Sequence, residues 1–158
     1  MSTVIPSIPV SVIPTLSTTT IRDWTTEDYA ALSTAQLVAL TTAQASVILS
    51  SNLAVLKSDQ IRAFQTEDLR AITTTGLAGL SSDQVQFLKT DQVQALSTGQ
   101  IASLTTVQIK GLSSDDMVAL TTALIRKDGY TDLERISRPS LVVACRQDRL
   151  RSFAETER

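Results

Sequence analysis

Large apolar residues recur along this chain every eight positions. From Leu80 it reads LSSDQVQF, LKTDQVQA, LSTGQIAS, LTTVQIKG and LSSDDMVA, then Leu120: five copies of one unit with no insertion. If the unit is lettered a to h, position a is Leu16, Trp24, Leu32, Leu40, Ile48, Leu56, Phe64, Ile72, Leu80, Leu88, Leu96, Leu104, Leu112 and Leu120. Position f is apolar in the same fourteen units, from Ile21 and Tyr29 to Met117 and Ile125, with Ala45 its small member. Position c is Ser or Thr in every copy. Position e is mostly Gln, as at Gln36, Gln44, Gln60, Gln84, Gln92, Gln100 and Gln108, with Asp28, Asp68 and Asp116 as acidic variants. The next a position is Asp128, and there the register stops.

An octad does not suit one long helix. Eight residues are about 2.2 turns, so an apolar stripe would rotate by roughly 80° per unit and no face would stay covered. Strands fit less well, because alternation is poor and turn residues are missing from fixed positions. The unit reads as one short helix with its own start signal. Position b is an N-cap, e is the Gln or Asp three residues on, and a with f make the hydrophobic staple. Ser33 with Gln36, Ser81 with Gln84, Ser97 with Gln100 and Thr105 with Gln108 fit fully, whereas Leu49, Lys57, Gln65 and Lys89 lack a b hydroxyl. In those four units the c hydroxyl is an alternative cap, and the sequence leaves b and c open.

Helices this short need stacking, with a and f turned inward. The expected fold is therefore all-α: a solenoid of very short helices, one per eight-residue repeat, with a β-solenoid as the alternative. The b residues Ser81, Lys89, Ser97, Thr105, Ser113 and Thr121, and Ser33 before Thr41, suggest two octads, or sixteen residues, per coil. Fourteen octads would then form seven coils, a rod roughly 60–70 Å long at the usual helix spacing.

Both ends depart from the pattern, giving three expected regions: 1–15, 16–127 and 128–158. Residues 1–15 carry Val-Ile-Pro at 4–6 and 12–14 with Ile8-Pro9 between, which favours an extended, proline-containing leader. A leader rich in Ser, Thr, Ile and Pro is also similar to type III export signals. In 128–158, Asp128-Gly129 is a turn signal, and Arg138-Pro139 precedes Ser140, which can N-cap a helix burying Leu141, Val142 and Cys145. This region is expected to be a C-terminal helical cap, with an amphipathic partner-binding helix as the alternative.

Composition narrows the chemistry. The formal charge of −2 gives no general pull toward nucleic acid or anionic membrane. Aromatics are only 4% of the 158 residues, so base stacking has few platforms. There is no His, which removes the commonest general base and the commonest zinc ligand. Cys145 stands alone, so no disulfide forms within one chain. No apolar run is long enough to span a bilayer. No arginine or lysine precedes Arg22, so the start lacks the charged region of a Sec signal.

The acids Asp59, Glu67, Asp68, Asp83, Asp91, Asp115 and Asp116 lie at d and e, the first turn of each expected helix, where negative charge complements the helix dipole. That accounts for them without catalysis, and no phosphate loop, nucleophile elbow or metal-spaced cluster is present. Stacked Thr pairs suggest ice-binding solenoids, but those use Thr-x-Thr faces on strands. With two octads per coil, Lys57, Arg62, Lys89, Lys110 and Arg126 fall on one side and form a basic-leaning, partner-binding stripe.

In its Leu-Thr-Thr-x-Gln-Ile form the array over residues 16–127 resembles octapeptide repeats of large proteobacterial proteins of secreted or surface type. The resemblance implies a bacterial origin and a secreted or injected fate, and it carries over no functional residues. The expected function is a non-enzymatic scaffold or protein-interaction module with no cofactor, able to self-associate through its solenoid ends. The alternative is a type III secreted effector or secretion accessory.

Overall fold

The computed structural model describes residues 5–128, with side chains through Ala123. Two short 3-10 helices come first: η1 (Ile5–Ser7) and η2 (Val10–Thr15). Short α-helices then follow at eight-residue intervals: α1 (Thr18–Asp23), α2 (Thr26–Ala31), α3 (Thr34–Val38), α4 (Thr42–Ala45), α5 (Ser50–Ala54), α6 (Ser58–Ala63), α7 (Thr66–Ala71), α8 (Thr74–Leu77), α9 (Ser82–Gln86), α10 (Thr90–Ala95), α11 (Thr98–Ser103) and α12 (Thr106–Ile109). A longer helix, α13 (Ser114–Asp128), closes the described chain, and no strand occurs among the described residues. The fold is an all-α repeat solenoid.

Every helix from α1 to α12 starts at position c, and the residue at b is its extended-backbone N-cap. This start holds at Leu49, Lys57, Gln65 and Lys89, so the c hydroxyl does not take over where b has none. Near the end of each unit the chain turns inward at a. Trp24, Leu32, Phe64, Ile72, Leu96 and Leu104 end their helices in extended backbone. The f residue, one turn along each helix, is buried from Ile13 and Ile21 through Ile101, with Leu37, Ala45 and Val93 fully covered. Together the a and f residues form one continuous core. Burying one such aliphatic side chain contributes about 1.5–3 kcal/mol, which a helix of four to six residues cannot obtain alone.

The stacking period differs from the two octads expected. Each helix packs on the helix three units away: α1 on α4, α4 on α7, α7 on α10 and α10 on α13. The same interval joins η1 to α2, α2 to α5, α5 to α8 and α8 to α11, and also η2 to α3, α3 to α6 and α9 to α12. One coil is therefore three octads, and the helices form three columns. The alternation at b reflects surface residues, and these do not set the packing. With three octads per coil the rod is about 40–50 Å long, shorter than expected, at the usual helix spacing.

The two ends of the described chain also depart from expectation. Within residues 5–15, the segments 5–7 and 10–15 are 3-10 turns in octad register, not a continuous extended leader. Ile5 and Ile13 are f residues and fully buried, and Ile8 is a half-buried a residue. The eight-residue spacing of the two Val-Ile-Pro segments is thus the repeat itself, with Pro6 and Pro14 inside 3-10 turns. At the other end the restart at Leu120 fails, and α13 runs through it. The e residue there is Leu124, which cannot accept a hydrogen bond from the b backbone. The Thr121 and Thr122 hydroxyls instead donate back to the Met117 and Val118 carbonyls, each at 2.8 Å. The expected C-terminal cap over 128–158, with Ser140 and Cys145, lies outside the described residues apart from Asp128.

Candidate interaction surface

Most of the inner polar groups are committed to the fold. The e glutamines are buried and make bonds in two directions. Gln92 Oε1 accepts from the Lys89 backbone N–H at 2.9 Å, which caps its own helix. Its Nε2 donates to the Ile61 and Phe64 carbonyls at 3.1 and 2.8 Å, which ties it to the coil before. Gln100 repeats this with Ser97 at 2.8 Å, Leu69 at 3.0 Å and Ile72 at 2.7 Å. Gln36, Gln44, Gln60, Gln84 and Gln108 each reach carbonyls at the same two offsets into the preceding coil. Buried amides with partners on both sides hold the coils together and leave little capacity to bind a ligand.

The carboxylates divide by their partners. Asp28 accepts from the Thr25 backbone at 2.9 Å and hydroxyl at 2.8 Å, and Asp116 accepts from the Ser113 backbone at 3.1 Å and hydroxyl at 2.6 Å. Both act within their own helix starts. Among the described residues no group of His, Cys, Asp or Glu is placed to hold a metal ion. Trp24 and Tyr29 meet edge to face at 5.8 Å, and the Tyr29 hydroxyl donates to the Ile21 carbonyl at 3.0 Å. Burial pushes the Tyr29 hydroxyl well above its usual range, against a smaller opposite effect from Asn52. These rings plug the first coil. Among the described residues no helix is long and apolar enough to cross a membrane.

The outward positions b, c, d and g remain, and they differ from column to column. The column η2–α3–α6–α9–α12 carries Lys57, Arg62 and Lys110, all exposed. Lys89 is exposed on the column of α10, so the expected single stripe is split by the three-octad coil. Arg126 falls in α13, with its side chain outside the described residues. Val10, Val12, Val38 and Val107 are exposed aliphatics on the same column as Lys57, Arg62 and Lys110, while Leu49 and Val55 are exposed on the column of α5 and Val118 on that of α10 and α13. Asp59 and Asp83 lie on it as well.

The column η1–α2–α5–α8–α11 is different. From Leu49 onward its units LSSNLAV, TTTGLAG and STGQIAS contain no charged residue. Two of its glycines lie close to the preceding coil. A Cβ on Gly79 would stand 2.1 Å from the Ser50 carbonyl oxygen, and one on Gly76 would stand 2.9 Å from the Ile48 oxygen. Here the coils approach backbone to backbone, as they also do on the neighbouring column where a Cβ on Gly111 would stand 2.1 Å from the Ser82 oxygen.

Sequence reasoning assigned the e glutamines to helix capping and missed their second bond. A signal for it was present, since Glu would serve a capping box equally well yet never occupies e in this array. Only the amide can both accept and donate.

A protein-family model described as the ALTTAQ repeat matches residues 13–42, 61–98 and 93–122. No curated protein and no solved structure matches the chain.

Proposed function

The chain belongs to the ALTTAQ repeat family, and from that premise we propose that it is a non-enzymatic scaffold binding a protein partner along one column of its solenoid. The observation that carries this reading is that Val38 and Val107 are exposed on the same column as Lys57, Arg62 and Lys110. Aliphatic side chains beside cations suit an acidic protein surface with apolar patches of its own. The inner residues repeat from coil to coil while the outer ones change, which is how a stacked framework displays a particular surface. Lys89 stands on another column and is not part of this face.

The test compares capture of partners by the wild-type chain with capture by two double variants, Arg62→Glu/Lys110→Glu and Val38→Glu/Val107→Glu. All four sites are exposed, so circular dichroism of the variants should match wild type. Capture is expected to fall at least tenfold in both. Unchanged capture by both variants would remove this column from consideration.

We keep a bacterial origin and a secreted fate as further parts of the reading, supported by the form of the repeat. An export role for residues 1–15 must accommodate the burial of Ile5 and Ile13 in the first coil. Deleting Met1–Thr15 in a secretion assay with a reporter fusion separates the two roles: lost export with an intact scaffold supports the signal, and unchanged export rejects it.

A further inference from the structure

The e position joins one coil to the next, and Asp68 occupies it in α7. In the register followed by the inner glutamines, position 68 matches the carbonyls of Leu37 and Leu40 in the coil before, and the equally short Asn52 reaches only the second of these offsets, at 3.4 Å to the Trp24 carbonyl. A glutamine there would donate two hydrogen bonds, whereas an ionised aspartate only accepts. Asp68 is buried, and its Oδ2 has no hydrogen-bond partner. Asp28 and Asp116 differ, because each spends its carboxylate on the N-cap residue of its own helix. The N-cap of α7 is Gln65, which has no hydroxyl, and its side-chain amide reaches back to the Val38 carbonyl at 2.7 Å. The joint between α7 and the α3–α4 segment of the coil before thus has an outer amide bond to α3 and, at its inner position, an acid where most other coils have an amide.

We propose that Asp68 is a pH-dependent latch between these two coils, closed when its neutral carboxyl donates its one proton to a carbonyl of the preceding coil and loosened when it ionises. Its surroundings favour the neutral form. Desolvation by burial raises its proton affinity most, a hydrogen bond with Thr42 opposes this, and the charge of neighbouring Glu67 raises it further. The elements packed against α7 are α4 and α10. Helices α3 and α4 bring no titratable group. Helix α10 brings Asp91 and, at its N-cap, Lys89, both exposed, and α7 itself brings Glu67 and Arg70, also exposed. Among the described residues no ion pair holds the Asp68 carboxylate. Because the folded chain binds this proton more tightly than the unfolded chain, the stabilisation is complete below the ordinary aspartate value. It is lost as pH rises through the raised value.

The experiment uses the full chain and the variant Asp68→Gln, which restores the amide of the other coils. Melting temperatures are measured from about pH 4 to about pH 8, on either side of the range where a raised carboxyl titrates. The wild-type melting temperature is expected to fall with rising pH relative to that of D68Q. Amide exchange in α4 and α7 is expected to accelerate in the wild type beyond its intrinsic pH dependence, and not in the variant. Parallel melting curves for the two proteins overturn the proposal. If D68Q fails to fold, carbon NMR of the wild-type Asp68 carboxyl decides alone. A midpoint above that of ordinary aspartates, accompanied by faster exchange in α4 and α7, supports the latch, and an ordinary midpoint rejects it.

Discussion

Replacing Gln92 by Glu separates the two bonds its side chain makes. Glutamate keeps the acceptor for the Lys89 backbone N–H but turns a carboxylate oxygen toward the Ile61 and Phe64 carbonyls. Buried charge facing carbonyl oxygens, with two donated bonds lost, should cost about 2–4 kcal/mol in a urea unfolding titration. The same change at an exposed position such as Gln86 or Gln94 should cost less than about 0.5 kcal/mol. Glycine gives a second contrast at this scale. Gly79→Ala places a methyl against the Ser50 backbone and should destabilise by about 1–3 kcal/mol through overpacking. Gly99 lies within α11 with nothing within 4 Å of a Cβ, so Gly99→Ala should stabilise by about 0.5–1 kcal/mol. Thermal melts of the two variants should move in opposite directions.

At the scale of the element, one short helix depends on its start. Ser97 Oγ accepts from the Gln100 backbone N–H at 3.3 Å, while Lys89 at the same position offers no side-chain bond. Ser97→Ala should therefore cost about 1 kcal/mol and Lys89→Ala close to nothing, as read by chemical denaturation. Helix starts were legible because capping is local chemistry. Ser33 with Gln36 and Thr105 with Gln108 are near neighbours in sequence and meet within one turn. The failed restart at Leu120 was legible in principle from Leu124, but apolar a and f residues there kept the octad pattern in view. The first two units were obscured by Pro6, Pro9 and Pro14, which argue against α-helix and are compatible with 3-10 turns.

The whole molecule is where sequence reading fell short. Apolar positions establish that the octads stack but carry no record of which octad lies on which, because a and f look alike in every unit. That information sits at e. Gln36 and Gln44 donate to carbonyls 28 and 31 residues back and Asn52 to one 28 back, partners that no local pattern picks out. The surface reading inherited the wrong period, so Lys57, Arg62 and Lys110 share a column while Lys89 does not. The coil also makes a prediction for deletions. Removing 72–95, three octads and so one whole coil, keeps every later helix on its column. It should lower the melting temperature less than removing 72–87 or 72–79, each of which shifts later helices onto columns they were not built for. A series in which the two-octad deletion is the best tolerated would contradict three octads per coil.

A short repeat wound three to the turn has a consequence for how such arrays change length. Adding or losing one octad leaves most of the interior grammar intact, since each unit still offers a, e and f to its neighbours. The folding cost is confined to contacts that belong to one column, such as Gly79 against Ser50. The same change rotates everything downstream by a third of a turn, so side chains that faced one direction now face another. A modest change in copy number would then redirect the later half of the surface to a different neighbour.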